Sequence, residues 1–343
     1  MAATCKTLTR ISLSSFNRNK SRCKPPHQGH SLSSPRPRSS RLGLGFPPFR
    51  AAAASSSASE PATTRSEDTV EELLTKGDQI DRLMKMERRS EPDSGLSNGR
   101  WFPYLDVYRA GTVELGCGEV IEAMDPYIMD ARKERIRRAV ENRSYSVCLV
   151  VEGLTDFGNV SAAFRSADAL GIQSVHVISC GGKKRYRDNR HVSMGAEKWL
   201  DIELWNSPRE CFEALRMRGY RIATTYLGID TVSVYDLDWS CPTAIVVGNE
   251  LMGISNEALQ LSDLHCSIPM KGMVDSFNVS VAAGILMHHA VNDRVSRLGR
   301  HGDLTTEESQ ILLAEFFLRH RESTISIVHE YAKRKSSSPV SKL

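Results

Sequence analysis

Five polar residues have types and positions that could do chemistry: Asn159, Arg165, Glu250, Ser276 and Asn278. They lie in three stretches, each of which contains or adjoins glycine and follows an apolar run that is typical of a β-strand. In an open α/β sheet the carboxyl ends of the strands meet at one edge, where ligands bind. A pocket with apolar walls and a few convergent polar groups is the usual form of a ligand site. The pattern therefore predicts a ligand site at this edge.

Each of these residues also has an ordinary structural explanation. Asn159, Ser276 and Asn278 are residue types that cap helix N-termini well. Arg165 could be a surface arginine, and Glu250 a solvated carboxylate. These explanations weaken when the residues are taken together, because three loops at one sheet edge each supply polar groups flanked by glycine and apolar residues.

The tripeptide Asn-Val-Ser occurs twice, at 159–161 and 278–280, each time at the start of an apolar helical pattern. The copies could be glycosylation acceptors, helix caps, or two halves of one site. The eight cysteines are scattered singly with no Cys-x-x-Cys pair, which argues against a zinc site and against a disulfide framework. A reducing compartment fits this pattern and disfavours glycosylation. Capping and a shared site remain, and both can hold at once.

Alternating strands and helices must position these residues. The β-rich runs occupy 146–152, 174–179, 221–227, 243–248 and 265–269, and the helical patterns between them occupy 159–170, 207–218 and 278–297. This alternation predicts βαβ units and a mostly parallel sheet. The strand runs are apolar on both faces, as in a sheet covered on both sides. We therefore predict a Rossmann-like α/β domain over about 145–298.

Helical or irregular segments flank this domain. Residues 127–143 predict an amphipathic helix with a basic face. Residues 60–100 are charged and interrupted by Gly, Ser and Pro, which indicates a linker with one short helix at 67–88. Residues 305–335 predict one or two helices that begin at Thr305 or Thr306.

Several widespread catalytic motifs do not occur in the sequence. There is no G-x-G-x-x-G after a strand, and no G-x-x-x-x-G-K-[ST] or H-E-x-x-H. G-x-S-x-G occurs once, as 95-GLSNG-99, in the stretch interrupted by Gly, Ser and Pro and not between a strand and a helix, where that motif is catalytic. These observations disfavour dinucleotide binding, the common Rossmann loop for S-adenosylmethionine, nucleotide hydrolysis, zinc proteolysis and α/β-hydrolase chemistry.

Three sequence blocks resemble the motifs of the SpoU branch of the SPOUT RNA methyltransferases, in the same order and spacing. They are the Asn159 to Arg165 stretch, 248-GNELMGIS-255 and 268-IPMKGMVDSFNVSVAAGILMHHA-290. The likeness is greatest to the TrmH group, which methylates the 2′-hydroxyl of a tRNA guanosine. It covers about 127–300. It implies a deep trefoil knot after the Rossmann-like sheet, a homodimer and S-adenosylmethionine as methyl donor.

The resemblance also implies roles for single residues. Arg165 is similar to the residue that activates the ribose 2′-hydroxyl, Asn159 positions it, and Glu250, Ser276 and Asn278 shape the site. The residues implied to contact S-adenosylmethionine are Thr225, Gly248, Ile268 and Phe277. Phe277 replaces the leucine that is usual there, and Leu251-Met252 are more apolar than in many relatives. A guanidinium stays protonated in proteins. We therefore expect Arg165 to orient the ribose and to stabilise the developing alkoxide.

The expected partner is RNA, with tRNA favoured over rRNA. The strongest basic patch is 183-KKRYRDNRH-191, where five cations surround a tyrosine: Lys183, Lys184, Arg185, Arg187 and Arg190. Such a loop can hold phosphates and stack a base. The helix at 132–143 and the segment 333-KRK-335 are weaker candidates. A non-catalytic RNA-binding protein of the same fold is the alternative from another functional class.

The net charge of +4 is unevenly distributed. Residues 1–59 contain ten Lys or Arg and no acidic residue, together with many Ser and Pro, whereas 60–343 is mildly acidic. This head is typical of an organelle transit peptide, with chloroplast favoured over mitochondrion. The final Ser-Lys-Leu makes the peroxisome a minor alternative. We divide the chain into a transit peptide (1–59), an extension (60–126), a methyltransferase domain (127–300) and a C-terminal helical extension (301–343). We expect no membrane span.

Overall fold

The secondary structure of the chain alternates strands and helices around a parallel sheet. The computed structural model describes residues 83–89, 100–178, 192–228 and 230–337. The strands are β1 (Tyr108–Ala110), β2 (Val113–Leu115), β3 (Val147–Glu152), β4 (Ser174–Ile178), β5 (Asp201–Trp205), β6 (Arg221–Thr225), β7 (Val232–Ser233), β8 (Thr243–Val247) and β9 (Leu264–Ser267).

The α-helices fall between and after these strands. They are α1 (Cys117–Met124), α2 (Asp130–Glu141), α3 (Phe157–Ala169), α4 (Pro208–Met217), α5 (Asn256–Leu261), α6 (Val279–Leu298), α7 (Thr306–Leu318) and α8 (Ser323–Ser337). Among the described residues, no helix combines the length and the hydropathy needed to cross a bilayer.

Within the described ranges, seven strands form one parallel sheet in the order β5-β4-β3-β8-β6-β9-β7. The register pairs Val151 of β3 with Val247 of β8, so the two strands end side by side. After β3 the chain continues to β4 and β5, which lie on one side of β3 in the sheet. The later strands β6 to β9 lie on the other side, with β8 next to β3. Loops that follow β3 and β8 therefore meet at a point where the direction of winding changes, which is where open α/β sheets bind ligands.

The alternation of side chains along β3 explains why the sheet is covered on both faces. All six residues of β3 are buried. Leu149 packs with the core beneath α3, α6 and α7, whereas Val150 packs with a second cluster that includes Phe212 of α4. Successive strand residues point to opposite faces, so an uninterrupted apolar run fills two cores. The predicted α/β class with a parallel sheet is confirmed.

Several elements differ from the sequence prediction. Strands β5 and β7 and helix α5 were not predicted, since each is short and carries polar residues in its run. Most of the helix predicted over 67–88 lies outside the described residues; the prediction is wrong for 84–88, where Arg88 instead forms an antiparallel bridge with Tyr104. The C-terminal segment forms two helices, and Thr305 begins the first with a reciprocal capping interaction to Glu308, as predicted.

Residues 108–124 form a small hairpin followed by a helix. Strands β1 and β2 pair antiparallel around a two-residue turn, where Gly111 takes a φ of +68°. Helix α1 then packs against α7 and α8. This part of the extension is therefore joined to the C-terminal helices. The trefoil knot stays a prediction.

Candidate active site

A cavity of about 680 Å³ opens at the carboxyl edge of the sheet. It is enclosed by the loops after β6, β8 and β9 and by the first turns of α6. Its walls combine apolar groups such as Val247 and Leu286 with polar groups such as Asp275 and Ser276. The cofactor residues implied by the family resemblance all line it, namely Thr225, Gly248, Ile268 and Phe277.

The turn after β8 is held in one conformation by its own hydrogen bonds. Asn249 and Gly253 exchange two backbone hydrogen bonds, both of 2.9 Å. The side-chain oxygen of Asn249 accepts from the backbone N–H groups of Leu251 at 2.8 Å and Met252 at 2.9 Å. A Cβ on Gly248 would lie 2.5 Å from the backbone of Gly253. Glycine at 248 is therefore required for this turn to close.

We expect Gly248→Ala to abolish binding of S-adenosylmethionine, the ligand that the family resemblance implies, because the added methyl group pushes Gly253 away and opens the turn that forms one wall of the cavity. Isothermal titration calorimetry of the purified variant measures this. Gly118→Ala serves as the matched control, since a Cβ there meets nothing within 4 Å. A variant at Gly248 that binds with wild-type affinity would show that the turn tolerates the displacement.

A chain of side-chain hydrogen bonds joins the three polar stretches. The Nδ2 group of Asn159 donates to Oε1 of Glu250 at 3.0 Å, and the Nδ2 group of Asn278 donates to Oδ1 of Asn159 at 3.1 Å. The other oxygen of Glu250 accepts from the backbone N–H of Thr155 at 3.2 Å and from its hydroxyl at 3.3 Å. The loops after β3, β8 and β9 are thus tied together at the mouth of the cavity.

The carboxylate of Glu250 is stabilised in its ionised form. Its partial burial alone would raise the pKa, but hydrogen bonds from Asn159 and from backbone N–H groups outweigh burial and lower the pKa. The ionised carboxylate therefore stabilises the folded state above the ordinary glutamate pKa, and this contribution is lost as the pH falls through the lowered value. Glu250 is an acceptor that fixes Asn159 and is a weak base near neutral pH.

The two Asn-Val-Ser copies meet in this network, but they cap helices differently. Asn278 caps α6, and its side-chain oxygen accepts from the backbone N–H of Ser280 at 3.0 Å, as predicted. The capping prediction for Asn159 is wrong. Asp156 caps α3 and accepts from Gly158 at 2.7 Å. Asn159 lies inside the first turn, which leaves its amide free to bridge Glu250 and Asn278.

Ser276 and Arg165 lie outside this hydrogen-bond network. Ser276 is exposed and lines the cavity next to Phe277, but it does not cap α6. Arg165 is exposed on α3, six residues after Asn159, which is about 9 Å along the helix axis. It does not line the cavity, and within the described ranges it forms no ion pair. Its predicted role in catalysis stays a prediction.

A second cavity, of about 390 Å³, is strongly basic. Arg132, Arg135 and Arg138 of α2 line it together with Trp199. The guanidinium of Arg132 lies 5.4 Å from the centre of the Trp199 ring, within the range of a cation–π contact. The pKa of Arg132 is lowered by burial and by the neighbouring charge of Arg135. This cavity therefore combines a concentrated positive charge with an aromatic surface.

The sequence predicted some of the residues that form the two cavities and missed others. The basic face of the helix at 132–143 was predicted, whereas Trp199 was missed because it lies in a short 3-10 turn far from that helix in sequence. Asn249 was also missed as a support of the turn, although it adjoins Glu250 in the same motif. The predicted RNA contacts at Lys183, Lys184, Arg185, Arg187 and Arg190 lie outside the described residues.

Comparisons with known proteins agree with this arrangement of motifs. The model of the SpoU rRNA Methylase family matches residues 146–288. The tRNA (guanosine(18)-2′-O)-methyltransferase of Aquifex aeolicus is 31% identical over 208 residues, which cover 59% of this chain and 98% of that protein. The enzyme of the same name from Escherichia coli K12 is 33% identical over 187 residues, covering 54% and 81%.

A relative with another substrate in its name matches a shorter part of the chain. The 23S rRNA (guanosine-2′-O-)-methyltransferase RlmB of Pseudomonas aeruginosa is 32% identical over 146 residues, covering 43% of this chain and 58% of that protein. The matched family region contains the strands and loops that form the cavity and the Asn159–Glu250–Asn278 network. The chain belongs to the SpoU methylase family.

Proposed function

We propose that the protein methylates the 2′-hydroxyl of a guanosine in tRNA, with S-adenosylmethionine as methyl donor. The observation that carries the proposal is the hydrogen-bonded network of Asn159, Glu250 and Asn278 at the mouth of the cavity. The match to the A. aeolicus tRNA methyltransferase over nearly that enzyme's whole length supports tRNA as the substrate class.

The residues of the large cavity fit S-adenosylmethionine. Its volume of about 680 Å³ lies within the usual range for small-ligand sites. Apolar walls at Ile268 and Val279 suit an adenine ring, and the polar groups of Thr225 and Asp275 suit the ribose and the charged end. When bound, S-adenosylmethionine supplies an electrophilic methyl group. Ile268 and Thr225 would hold it, together with the glycine-lined turn after β8.

The chain's own residues act by positioning and by electrostatics. Glu250 accepts from Asn159, which fixes the amide of Asn159 at the cavity mouth. The lowered pKa of Glu250 makes it a weak base, and a guanidinium remains protonated. We therefore assign Asn159 to hydrogen bonding with the ribose and Arg165 to stabilising negative charge on the 2′-oxygen while the hydroxyl proton passes to water. Fixed hydrogen bonds and charges accelerate such reactions strongly.

The basic cavity on α2 is the RNA contact that the described residues support. It lies beside the C-terminal end of α3, where Asp168 is about 13 Å along the helix from Asn159. That distance corresponds to a few nucleotides of one strand. The arginines would bind phosphates, and Trp199 offers a surface on which a base can stack.

We expect the double variant Arg132→Ala/Arg135→Ala to weaken RNA binding about tenfold at low salt and to reduce the slope of log affinity against log salt by about 1.5, since two phosphate contacts are lost. Fluorescence anisotropy over a salt series measures both. Arg137→Ala is the matched control, because Arg137 lies exposed on the same helix but does not line the cavity. An unchanged slope would remove this surface from the RNA interface.

The proposed activity is tested by incubating the full chain with methyl-labelled S-adenosylmethionine and separate pools of tRNA and rRNA. Label in tRNA, mapped to the 2′-oxygen of a guanosine, is the expected result. Label in rRNA alone would assign the rRNA reaction that the P. aeruginosa relative's name describes. No label in either pool, from protein that binds RNA, would favour the non-catalytic RNA-binding alternative.

We also propose that the protein is a homodimer that uses the outer face of α6. Val281 and Val295 are 49% and 45% exposed and lie fourteen residues apart, about four helical turns, so they share one face. Leu298 is exposed near the end of the same helix. A partner copy would remove this apolar surface from water. Light scattering tests this, and a monomeric mass would contradict it.

For residues 1–59, which lie outside the described ranges, we propose a transit peptide directed to the plastid. The proposal rests on the absence of acidic residues and on the high Ser, Arg and Pro content of this segment. A fluorescent protein fused behind residues 1–59 should enter plastids in plant cells. Retention of that fusion in the cytosol, or its entry into mitochondria, would contradict the assignment.

A further inference from the structure

Two apolar side chains at the mouth of the large cavity are almost fully exposed. Leu251 and Met252 each expose 85% of their surface, and both line the cavity. They occupy the tip of the turn between Asn249 and Gly253. Covering large apolar side chains so that they leave water lowers the free energy. Two such side chains at one tip therefore form a surface suited to an apolar ligand group.

The turn holds these side chains in a fixed position. Both backbone N–H groups at the tip donate to the side-chain oxygen of Asn249, whose amide in turn donates to the carbonyl of Gly153 at 2.6 Å. The φ of +69° at Gly253 closes the turn. Because the backbone is constrained on both sides, the Cα atoms of Leu251 and Met252 stay at the tip of the turn, where both side chains line the cavity. We name the pair the apolar ledge.

The apolar ledge adjoins the polar network directly. Glu250 precedes it in the same turn and accepts from Asn159 at 3.0 Å. A ribose hydrogen-bonded to Asn159 would lie close enough to the apolar ledge for its base to reach Leu251 and Met252. A second copy of the chain packed on the ledge would close the mouth of the cavity that both side chains line, and substrate must enter there. These positions favour a nucleobase as the occupant.

We propose that Leu251 and Met252 contact the face of the base attached to the ribose that is methylated, and so position its 2′-hydroxyl. The inference rests on the proposed function and names positioning residues for it. Bases present flat aromatic faces to apolar side chains, and a thioether adapts readily to an aromatic ring. Such contacts recognise the face of the base and not its edge. The apolar ledge therefore holds the nucleotide without selecting guanine.

The test compares two proteins on two RNAs in a thermodynamic cycle. The proteins are the wild type and Leu251→Ser/Met252→Ser, and the RNAs carry either the normal nucleotide or an abasic ribose at the position that the wild type methylates. We expect the wild type to lose about tenfold in kcat/KM on the abasic RNA. We expect the variant to lose the same factor on normal RNA and to show no further loss on abasic RNA.

Conservative and distant variants serve as controls. Met252→Leu keeps an apolar side chain and should retain the discrimination between the two RNAs that the wild type shows. Met217→Ser removes a methionine that is 60% exposed at the end of α4, away from the cavity, and should leave it unchanged. Binding of S-adenosylmethionine is measured separately by calorimetry, because Leu251 and Met252 also line its cavity, and only a loss of discrimination between the two RNAs counts towards the contact with the base.

Two results would overturn the inference while the proposed function stands. One is a serine variant that discriminates between normal and abasic RNA as strongly as the wild type. The other is a serine variant with a changed oligomeric state in light scattering, which would assign the apolar ledge to a second copy of the chain. A wild-type protein that methylates no RNA would instead refute the proposed function itself.

Discussion

Arg165→Ala is expected to lower methylation of RNA by about 100- to 1,000-fold, the effect of removing one group that stabilises a developing oxyanion. Arg165 is exposed on α3, and the first turn of the same helix carries Asn159 of the polar network. With no ion pair to another described residue, its guanidinium is available to a phosphate or to the 2′-oxygen. A protonated guanidinium fits both tasks.

Single-turnover labelling with excess enzyme measures the chemical step, and calorimetry measures S-adenosylmethionine binding separately. Binding should be retained, because Arg165 does not line the cavity. Arg209→Ala is the matched control, since Arg209 is 58% exposed on α4 and its weak contacts are with glutamates. Turnover by Arg165→Ala within a factor of three of the wild type would remove Arg165 from the catalytic assignment.

The polar network shows which features of the site the sequence could predict and which it could not. The approach of Asn159, Glu250 and Asn278 was predictable, because strands that pair in parallel bring their following loops to one edge. The hydrogen bonds among them were not. Asn159 is a residue type that suits an N-cap, yet Asp156 lies three residues earlier and takes that position. The preference of asparagine for an N-cap position can be read from the sequence. The hydrogen bonds of Asn159 to Glu250 and Asn278, which lie far away along the chain, cannot.

The sheet shows the same division between what local pattern predicts and what tertiary contact decides. Strand β3 was predictable from its continuous apolar run, which a sheet buried on both faces requires. Strand β5 was not, because its sequence, DIELW, places acidic residues inside the sheet. Asp201 is buried there and Glu203 is partly buried, and arginines from other segments neutralise both. Those partners are more than a hundred residues away in two of the three pairs.

The most consequential of these distant pairs centres on Arg319 at the end of α7. Its side chain is 1% exposed and donates to Asp201 at 2.8 Å and to Glu315 at 2.6 Å. It also donates to the hydroxyl of Tyr104 at 2.7 Å. The pKa of Arg319 is raised, because the neighbouring tyrosine and carboxylates outweigh the effect of burial. One cation therefore compensates two carboxylates in the core.

Glu315 extends this cluster to the N-terminal extension. Its carboxylate accepts from the backbone N–H groups of Lys85 at 2.8 Å and Met86 at 2.6 Å. Asp201, on the other side of Arg319, also accepts from the hydroxyl of Tyr145 at 2.5 Å, just before β3. The cluster thus joins the extension, the edge of the sheet and the C-terminal helices, and it explains why residues 83–89 lie against α7.

We expect Arg319→Met to lower the free energy of unfolding by about 3–5 kcal/mol, because it leaves two carboxylates buried without their cation. Urea unfolding followed by circular dichroism measures the loss as a lower midpoint. Lys333→Met is the matched control, since its ion pair with Glu330 is exposed at both ends and should change stability by less than about 1 kcal/mol. Equal midpoints for the two variants would mean that water reaches the cluster and replaces the guanidinium. In that case the backbone hydrogen bonds of Lys85 and Met86 to Glu315 and the apolar contacts of Met86 with the core hold the extension to α7 without the cation.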